Sequence, residues 1–250
     1  MYSVSGKKSP TVEYKSTRKL DFEALYTKMR TKENRMVSDA ELHHLPDTFF
    51  YTLHRQEWKK RAEVVYKFLD YIKRPEGNFK VMDLGCGGGW LGGRIAQMPQ
   101  FEVVGVDIHG GLLERGAKVF AEENIQFVCG DIFEDIAELN SFDVIVVCDA
   151  LMYFPKLEKL INRCRQYLKP GGELHLIENT FYTEKEREIA IQKKQTHLQD
   201  IGCAEMMEYL TFHSETDLHI YDYNYLYKPS GFLRLFSDKK SPYPWIRILN

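Results

Sequence analysis

Between Phe79 and Ile177 short apolar runs alternate with segments of helical period, and that alternation leaves few folds open to the chain. The runs are Phe79 to Leu84, Phe101 to Val106, Ile125 to Cys129, Phe142 to Val147 and Glu173 to Ile177. Helical segments follow Gly89 and span Leu112 to Glu123 and Leu157 to Leu168. Mostly apolar strands separated by helices imply a largely parallel sheet covered on both faces. Upstream, Trp58, Ala62, Val65, Phe68, Leu69 and Ile72 recur at helical spacing within Gln56 to Lys73, an amphipathic helix. Ser38 and Glu41 have capping-box spacing and open a short helix through Leu45. Residues 1 to about 35 are polar with mixed charge, a flexible tail or a loosely held lid. Downstream come a helix from Glu184 to about Leu198 and two late strands, Ile220 to Tyr227 and Trp245 to Leu249. The late pair suits an antiparallel hairpin at the sheet's edge. The chain thus divides into a tail and lid, 1–54, and an α/β domain, 55–250, with acceptor-pocket insertions after strand five.

A chain of 250 residues can bury a substantial core. Its net charge of -2 creates no global field that recruits nucleic acid or an anionic membrane, so neither is an expected partner. No apolar run reaches the ~20 residues needed to span a bilayer, and no apolar stretch follows the early lysines as in a secretory signal. Cys86, Cys129, Cys148, Cys164 and Cys203 are dispersed without a CxxC pair, which fits a reducing, cytoplasmic setting and no metal site.

In such sheets ligands bind beyond the carboxyl ends of the strands. After the first run the sequence reads Val81-Met82-Asp83-Leu84-Gly85-Cys86-Gly87-Gly88-Gly89-Trp90. Closely spaced glycines let the backbone turn sharply and approach a ligand. The helix after Gly89 aims free N–H groups at the same space, where a carboxylate or phosphate could sit. Gly87, Gly89 and Gly92 also satisfy the dinucleotide pattern G-x-G-x-x-G, with Asp107 about 20 residues on. Counting from Gly85, however, Trp90 stands where the third glycine belongs, and Asp83 is no part of that pattern. Asp107 ends the second strand, where its carboxylate can accept from a ribose diol. Asp131 ends the third, beside Ile132, and can accept from an adenine amino group.

Residues 81 to 90, 104 to 108, 129 to 132, 142 to 154 and 168 to 178 resemble the motif series of the class I S-adenosylmethionine-dependent methyltransferases. Leu168-Lys169-Pro170-Gly171-Gly172-Glu173 looks like that family's turn into the fifth strand. The resemblance implies a Rossmann-like, doubly wound, seven-stranded sheet with an antiparallel edge hairpin and an N-terminal helical lid. It implies S-adenosyl-L-methionine as cofactor, held by Asp83, Gly85, Cys86, Gly87 and Gly89 at the methionine end. Asp107 and Ile108 would serve the ribose and one adenine face, Asp131 and Ile132 the adenine, and the backbone at Asp149 the sulfonium. Arg55 or Tyr51 could reach the methionine carboxylate.

The motifs leave the acceptor open. Tyr153 and Phe154 follow the fourth strand and are candidate substrate contacts. Candidate bases are His54, His43, His44, His213 and Glu178, with His54 first because it precedes the helix expected to cap the pocket. The loop Asp149-Ala150-Leu151-Met152 lacks the D/N-P-P-Y/F pattern of nucleic-acid amino methyltransferases, and no Pro-Cys nucleophile is present. The expected activity is therefore methyl transfer to an O or N atom of a small molecule, lipid and saccharide precursors included. An NAD-dependent oxidoreductase and a non-catalytic cofactor-binding protein are the alternatives.

Overall fold

A computed structural model describes residues 11–73, 77–229 and 241–250. Its strands are β1 (Val12–Tyr14), β2 (Phe79–Leu84), β3 (Phe101–Asp107), β4 (Ile125–Cys129), β5 (Phe142–Cys148), β6 (Leu168–Ile177), β7 (Tyr223–Tyr227) and β8 (Trp245–Leu249). The helices are α1 (Leu20–Lys32), α2 (Asp39–His44), α3 (Arg55–Ile72), α4 (Trp90–Ala96), α5 (Gly110–Val119), α6 (Leu157–Tyr167) and α7 (Glu184–Asp200). The strands form one sheet in the order β1-β4-β3-β2-β5-β6-β8-β7. Pairings from β1 through β6 are parallel, whereas β8 pairs antiparallel with both β6 and β7.

The chain leaves β2 for β3 on one side and later returns to β5 on the other, so the strand order reverses at the β2–β5 pair. A crevice opens outside the strand ends at such a reversal. Two cores sandwich the sheet. On one face Val64, Val65 and Phe68 of α3 pack with Val81, Val103, Val144 and Trp245. On the other, Leu160, Ile161 and Cys164 of α6 pack with Met82, Val104, Ile145 and Ile246. Parallel strands covered on both faces have no polar side to present, which is why they read as near-continuous apolar runs.

The expected elements are present, with three differences. The sheet has eight strands among the described residues, not seven, because Val12–Tyr14 adds a parallel edge strand to β4. Residues 20–32, within the stretch that read as tail or lid, form helix α1. Phe22 and Met29 of α1 share a small core with Leu198, Cys203 and Met206, beyond the main sheet. Lys169–Gly172, expected as a turn, bulges out of β6: pairing passes from Phe142–Leu168 to Val144–Glu173, and Gly171 stands at φ +75°. The capping box at Ser38 and Glu41 forms as its spacing implies.

The glycine turn depends on space that no side chain can share. Gly89 is at φ +76°, and a Cβ there would lie 2.5 Å from the Phe127 ring. Left-handed strain and overpacking act together at that point. Gly89→Ala should therefore destabilise the protein by about 2–4 kcal/mol, measured as a lowered urea midpoint at unchanged denaturant slope. An unchanged midpoint would show that the turn tolerates the methyl group.

Candidate active site

A cavity of about 510 Å³ opens at the reversal, walled by the ends of β2, β3, β4 and β5 and covered by α1 and α3. Gly85, Cys86 and Gly87 line it from the turn after β2, Asp107 and Ile108 from β3, and Asp131 and Ile132 from β4. Asp149, Tyr153 and Phe154 line it after β5. Ten of the twelve candidate site residues from the strand ends thus share one cavity; Asp83 and Gly89 stand behind it.

Asp83 is 2% exposed, and its Oδ2 accepts from the Gly92 N–H at 2.8 Å. It fastens β2 to the first turn of α4. Burial pushes its carboxyl up to about 7, with the nearby Asp107 adding to the rise against the Gly92 hydrogen bond. Gly92 is equally structural, since a Cβ there would meet Ile125 and Asp83. Gly89 precedes α4 as its left-handed N-cap.

Asp107 is the most fully oriented of the carboxylates. Its Oδ2 accepts from the Gly87 N–H at 2.7 Å and its Oδ1 from the His109 N–H at 2.8 Å. Burial raises its pKa and these N–H groups oppose the rise. An ionised carboxylate has about four acceptor positions, so two remain for a ligand. Asp131 is already engaged by the Lys19 ammonium at 3.0 Å and the Phe133 N–H at 3.1 Å. Asp149 is at φ +53°, and its carboxylate lies 3.3 Å from the Arg61 guanidinium.

Arg61 is the group the sequence reading missed. It lines the cavity at 5% exposure, paired with Glu178 at 2.7 Å and stacked 4.3 Å from the Trp58 ring. Burial would lower its pKa, but Glu178 and Asp149 outweigh that and hold it charged. Its signal was a cation on the buried stripe of α3, between Trp58 and Val64. Arg55 and Tyr51, the residues named for a ligand carboxylate, do not line this cavity. Tyr51 lines a smaller neighbouring cavity instead.

The second wall is α1, within the stretch expected as tail or lid, and it brings Phe22, Tyr26 and Arg30, none of them named from the sequence. Tyr26 packs edge-on against Tyr153 and His109, at 6.0 and 5.6 Å between ring centroids. Glu23 of α1 accepts from Arg18 and from the Gly110 and Gly111 N–H groups that open α5. The Arg18 hydrogen bonds hold its carboxyl down at about 2.

The candidate bases do not converge on the cavity. His54 is exposed, lines the smaller cavity, and has its Nε2 3.1 Å from the Glu33 carbonyl oxygen. It precedes α3 in a left-handed conformation. His43 stacks on Phe120, His44 bonds the Ala40 carbonyl and His213 the Leu151 carbonyl. Glu178 does not line the cavity: its Oε2 accepts from Arg61 and Cys148, and its buried Oε1 has no hydrogen-bond partner among the described residues.

Residues 81–172 match a family model described as a methyltransferase domain. A ribosomal RNA small subunit methyltransferase C of Pasteurella multocida is 29% identical over 166 residues, 63% of this chain and 48% of that protein. A ubiquinone biosynthesis O-methyltransferase of Coxiella burnetii is 36% identical over 97 residues, 38% of this chain and 41% of that protein. The chain therefore spans less than half the length of these curated relatives. Among solved structures, the YcgJ protein of Bacillus subtilis superposes with a TM-score of 0.61 at 14% identity, covering 76% of this chain and 98% of that one. The dinucleotide alternative gives way to these matches. One further expectation is overturned: with an RNA methyltransferase among the relatives, nucleic acid does not fall outside the acceptor classes. Net charge reports on the global field and says nothing of a local contact surface. Among the described residues, no helix is long and apolar enough to cross a membrane.

The Asp83 carboxyl yields a pH test. In the unfolded chain it ionises near its ordinary value of 3.8, while the folded chain keeps the proton up to about 7. Stability attached to this group is complete below the lower value and is lost as pH rises through the window. Asp83→Asn should flatten the fall between these limits, by on the order of a few kcal/mol at its upper end. Denaturant melts across pH check it; parallel curves for the two proteins would contradict it.

Proposed function

We propose that the chain is a class I S-adenosylmethionine-dependent methyltransferase that transfers a methyl group to an O or N atom of a small-molecule acceptor, a reading supported by the methyltransferase-domain match over residues 81–172. One observation carries the reading: the glycine turn and the carboxylates ending three successive strands face a single cavity of about 510 Å³. Bound there, S-adenosylmethionine supplies a methyl group on a sulfonium sulfur, already a strong electrophile. The protein's task is then to bind, align and exclude water.

The residues present fit that cofactor. A Cβ at Gly87 would project into the approach a ligand needs, and its φ of +55° favours glycine. Asp107, fixed by two backbone N–H groups, accepts from the ribose hydroxyls through its remaining lone pairs. Ile108 and Ile132 supply apolar surface for the adenine, and Asp131 accepts from its amino group. Arg61, which lines the cavity and is held charged by Glu178, takes the methionine carboxylate. Trp58, Trp90 and Phe154 keep water from that end. The acceptor lies towards Tyr26 and Tyr153.

Isothermal titration with S-adenosylhomocysteine is the test. Wild-type protein should bind it, and Asp107→Ala should weaken binding by roughly 1.5–3 kcal/mol, the scale for charge-assisted hydrogen bonds. Wild-type protein indifferent to S-adenosylhomocysteine would remove the proposal. Formation of S-adenosylhomocysteine across a panel of acids, alcohols, amines and RNA fragments then separates the acceptor classes. Cofactor binding without turnover on any of them would favour the non-catalytic alternative.

A further inference from the structure

A second cavity, of about 240 Å³, adjoins the first and shares Arg30, Arg35, Met36, Val37 and Trp58 with it. Exposed Tyr51 and Leu53 line it, at 56% and 62% exposure, and the neighbouring Phe50 stands 86% exposed. The cationic groups at the junction are not equivalent. Arg35 gives Glu57 two hydrogen bonds, at 2.8 and 2.7 Å, and Arg61, paired with Glu178 and Asp149, is the cation assigned above to the cofactor's carboxylate. Arg30 is different. Its nearest carboxylate is Glu33 at 3.6 Å, too far for a hydrogen bond, and that carboxylate already serves Lys194 and His197. Among the described residues the Arg30 guanidinium donates no hydrogen bond, although it lines both cavities with a quarter of its side chain exposed. Five donors in a planar fork match a carboxylate.

The main cavity offers little to remove a proton from an acceptor. His109, the histidine that lines it, has Nδ1 engaged by the Leu112 N–H and Nε2 by the Thr27 hydroxyl. Asp149 is paired with Arg61 and Asp131 with Lys19. Burial pushes the Tyr26 and Tyr153 phenols up, away from use as bases. Glu208 is exposed on the 3-10 segment Ala204–Tyr209. An acceptor that arrives already deprotonated needs none of these groups.

We propose that the smaller cavity is the acceptor's entry and that the acceptor is an apolar carboxylic acid, recognised by Arg30 and methylated on its carboxylate oxygen. This rests on the methyl-transfer reading above. A carboxylate oxygen forms the new O–C bond to the methyl carbon while the S–C bond breaks and its electron pair returns to sulfur. The negative carboxylate and the positive sulfonium become a neutral ester and a neutral thioether, and no proton is released. The apolar body lies along Met36, Val37 and Trp58 towards Tyr51 and Leu53.

The test is calorimetric titration of the S-adenosylhomocysteine-loaded protein with octanoate, octanol, octylamine and octyl phosphate. Octanoate should bind at least about tenfold more tightly than the other three. Arg30→Ala should abolish that preference and leave the affinity for S-adenosylhomocysteine unchanged, with Arg30→Lys restoring part of it. Equal binding of any of the other probes, or an undiminished preference in Arg30→Ala, overturns the proposal. An Arg30→Ala protein that loses S-adenosylhomocysteine equally would assign Arg30 to the cofactor, with the same consequence. Failure of the wild-type protein to bind S-adenosylhomocysteine appears before any probe is added and strikes the methyl-transfer reading itself.

Discussion

The packing of one glycine turn against its neighbours sets the geometry of everything around it. Gly85, Gly87 and Gly89 all lie at positive φ, and the Cβ positions of Gly85 and Gly89 fall 2.6 Å from Ala150 and 2.5 Å from Phe127. The turn is thus pressed between the loop after β5 and the side chains of β4. Gly116 of α5 comes equally close, since a Cβ there would stand 2.6 Å from the Gly88 carbonyl oxygen. Such contacts have no slack, because protein interiors pack at crystal density. The backbone N–H of Gly87 is consequently delivered to Asp107, and that of Gly92 to Asp83. The first bond orients a carboxylate towards the cavity. The second closes the strand onto its helix.

This explains why the cofactor half was legible from residues 79 to 177 and the acceptor half was not. The strands are buried on both faces, so their apolar runs announce themselves, and the residues at their ends follow by position. Val12–Tyr14 escaped notice because an edge strand only partly covered at Val12 and exposed beyond it carries no apolar alternation. Helix α1 escaped because it buries just Phe22, Glu23 and Met29, and one of those is charged. Its partners, Leu198, Cys203 and Met206, lie about 170 residues away in sequence, and no local pattern encodes that distance. His54 was placed by chain order, on the premise that a residue just before a capping helix faces the pocket. It lines the smaller cavity instead, with its ring at the Glu33 carbonyl.

Arg61 shows a different limit. Its position on the apolar stripe of α3 was visible, yet a lone buried cation is interpretable only once its counter-ions are known. Without Glu178 the buried Arg61 would keep only the more exposed Asp149 as counter-ion, and removing one partner of a buried pair costs on the order of 3–5 kcal/mol. Glu178 in turn follows β6 directly, at φ +62°. The pair therefore links α3 to the residue that follows β6, on the far side of the reversal.

The lid is joined to the same framework by charge. Glu23 occupies the N-terminus of α5, where free N–H groups and the helix dipole favour an anion. Thr27, one turn further along α1, reaches the ring of His109, whose backbone N–H orients Asp107. The helix that brings Tyr26 and Arg30 to the cavity is thus docked on the loop that follows Asp107. Any ligand that orders the loop from Asp107 to Gly111 also stabilises the seat of α1, because the two share these hydrogen bonds. Differential binding to one arrangement of that loop is what would let a ligand there shift the position of α1.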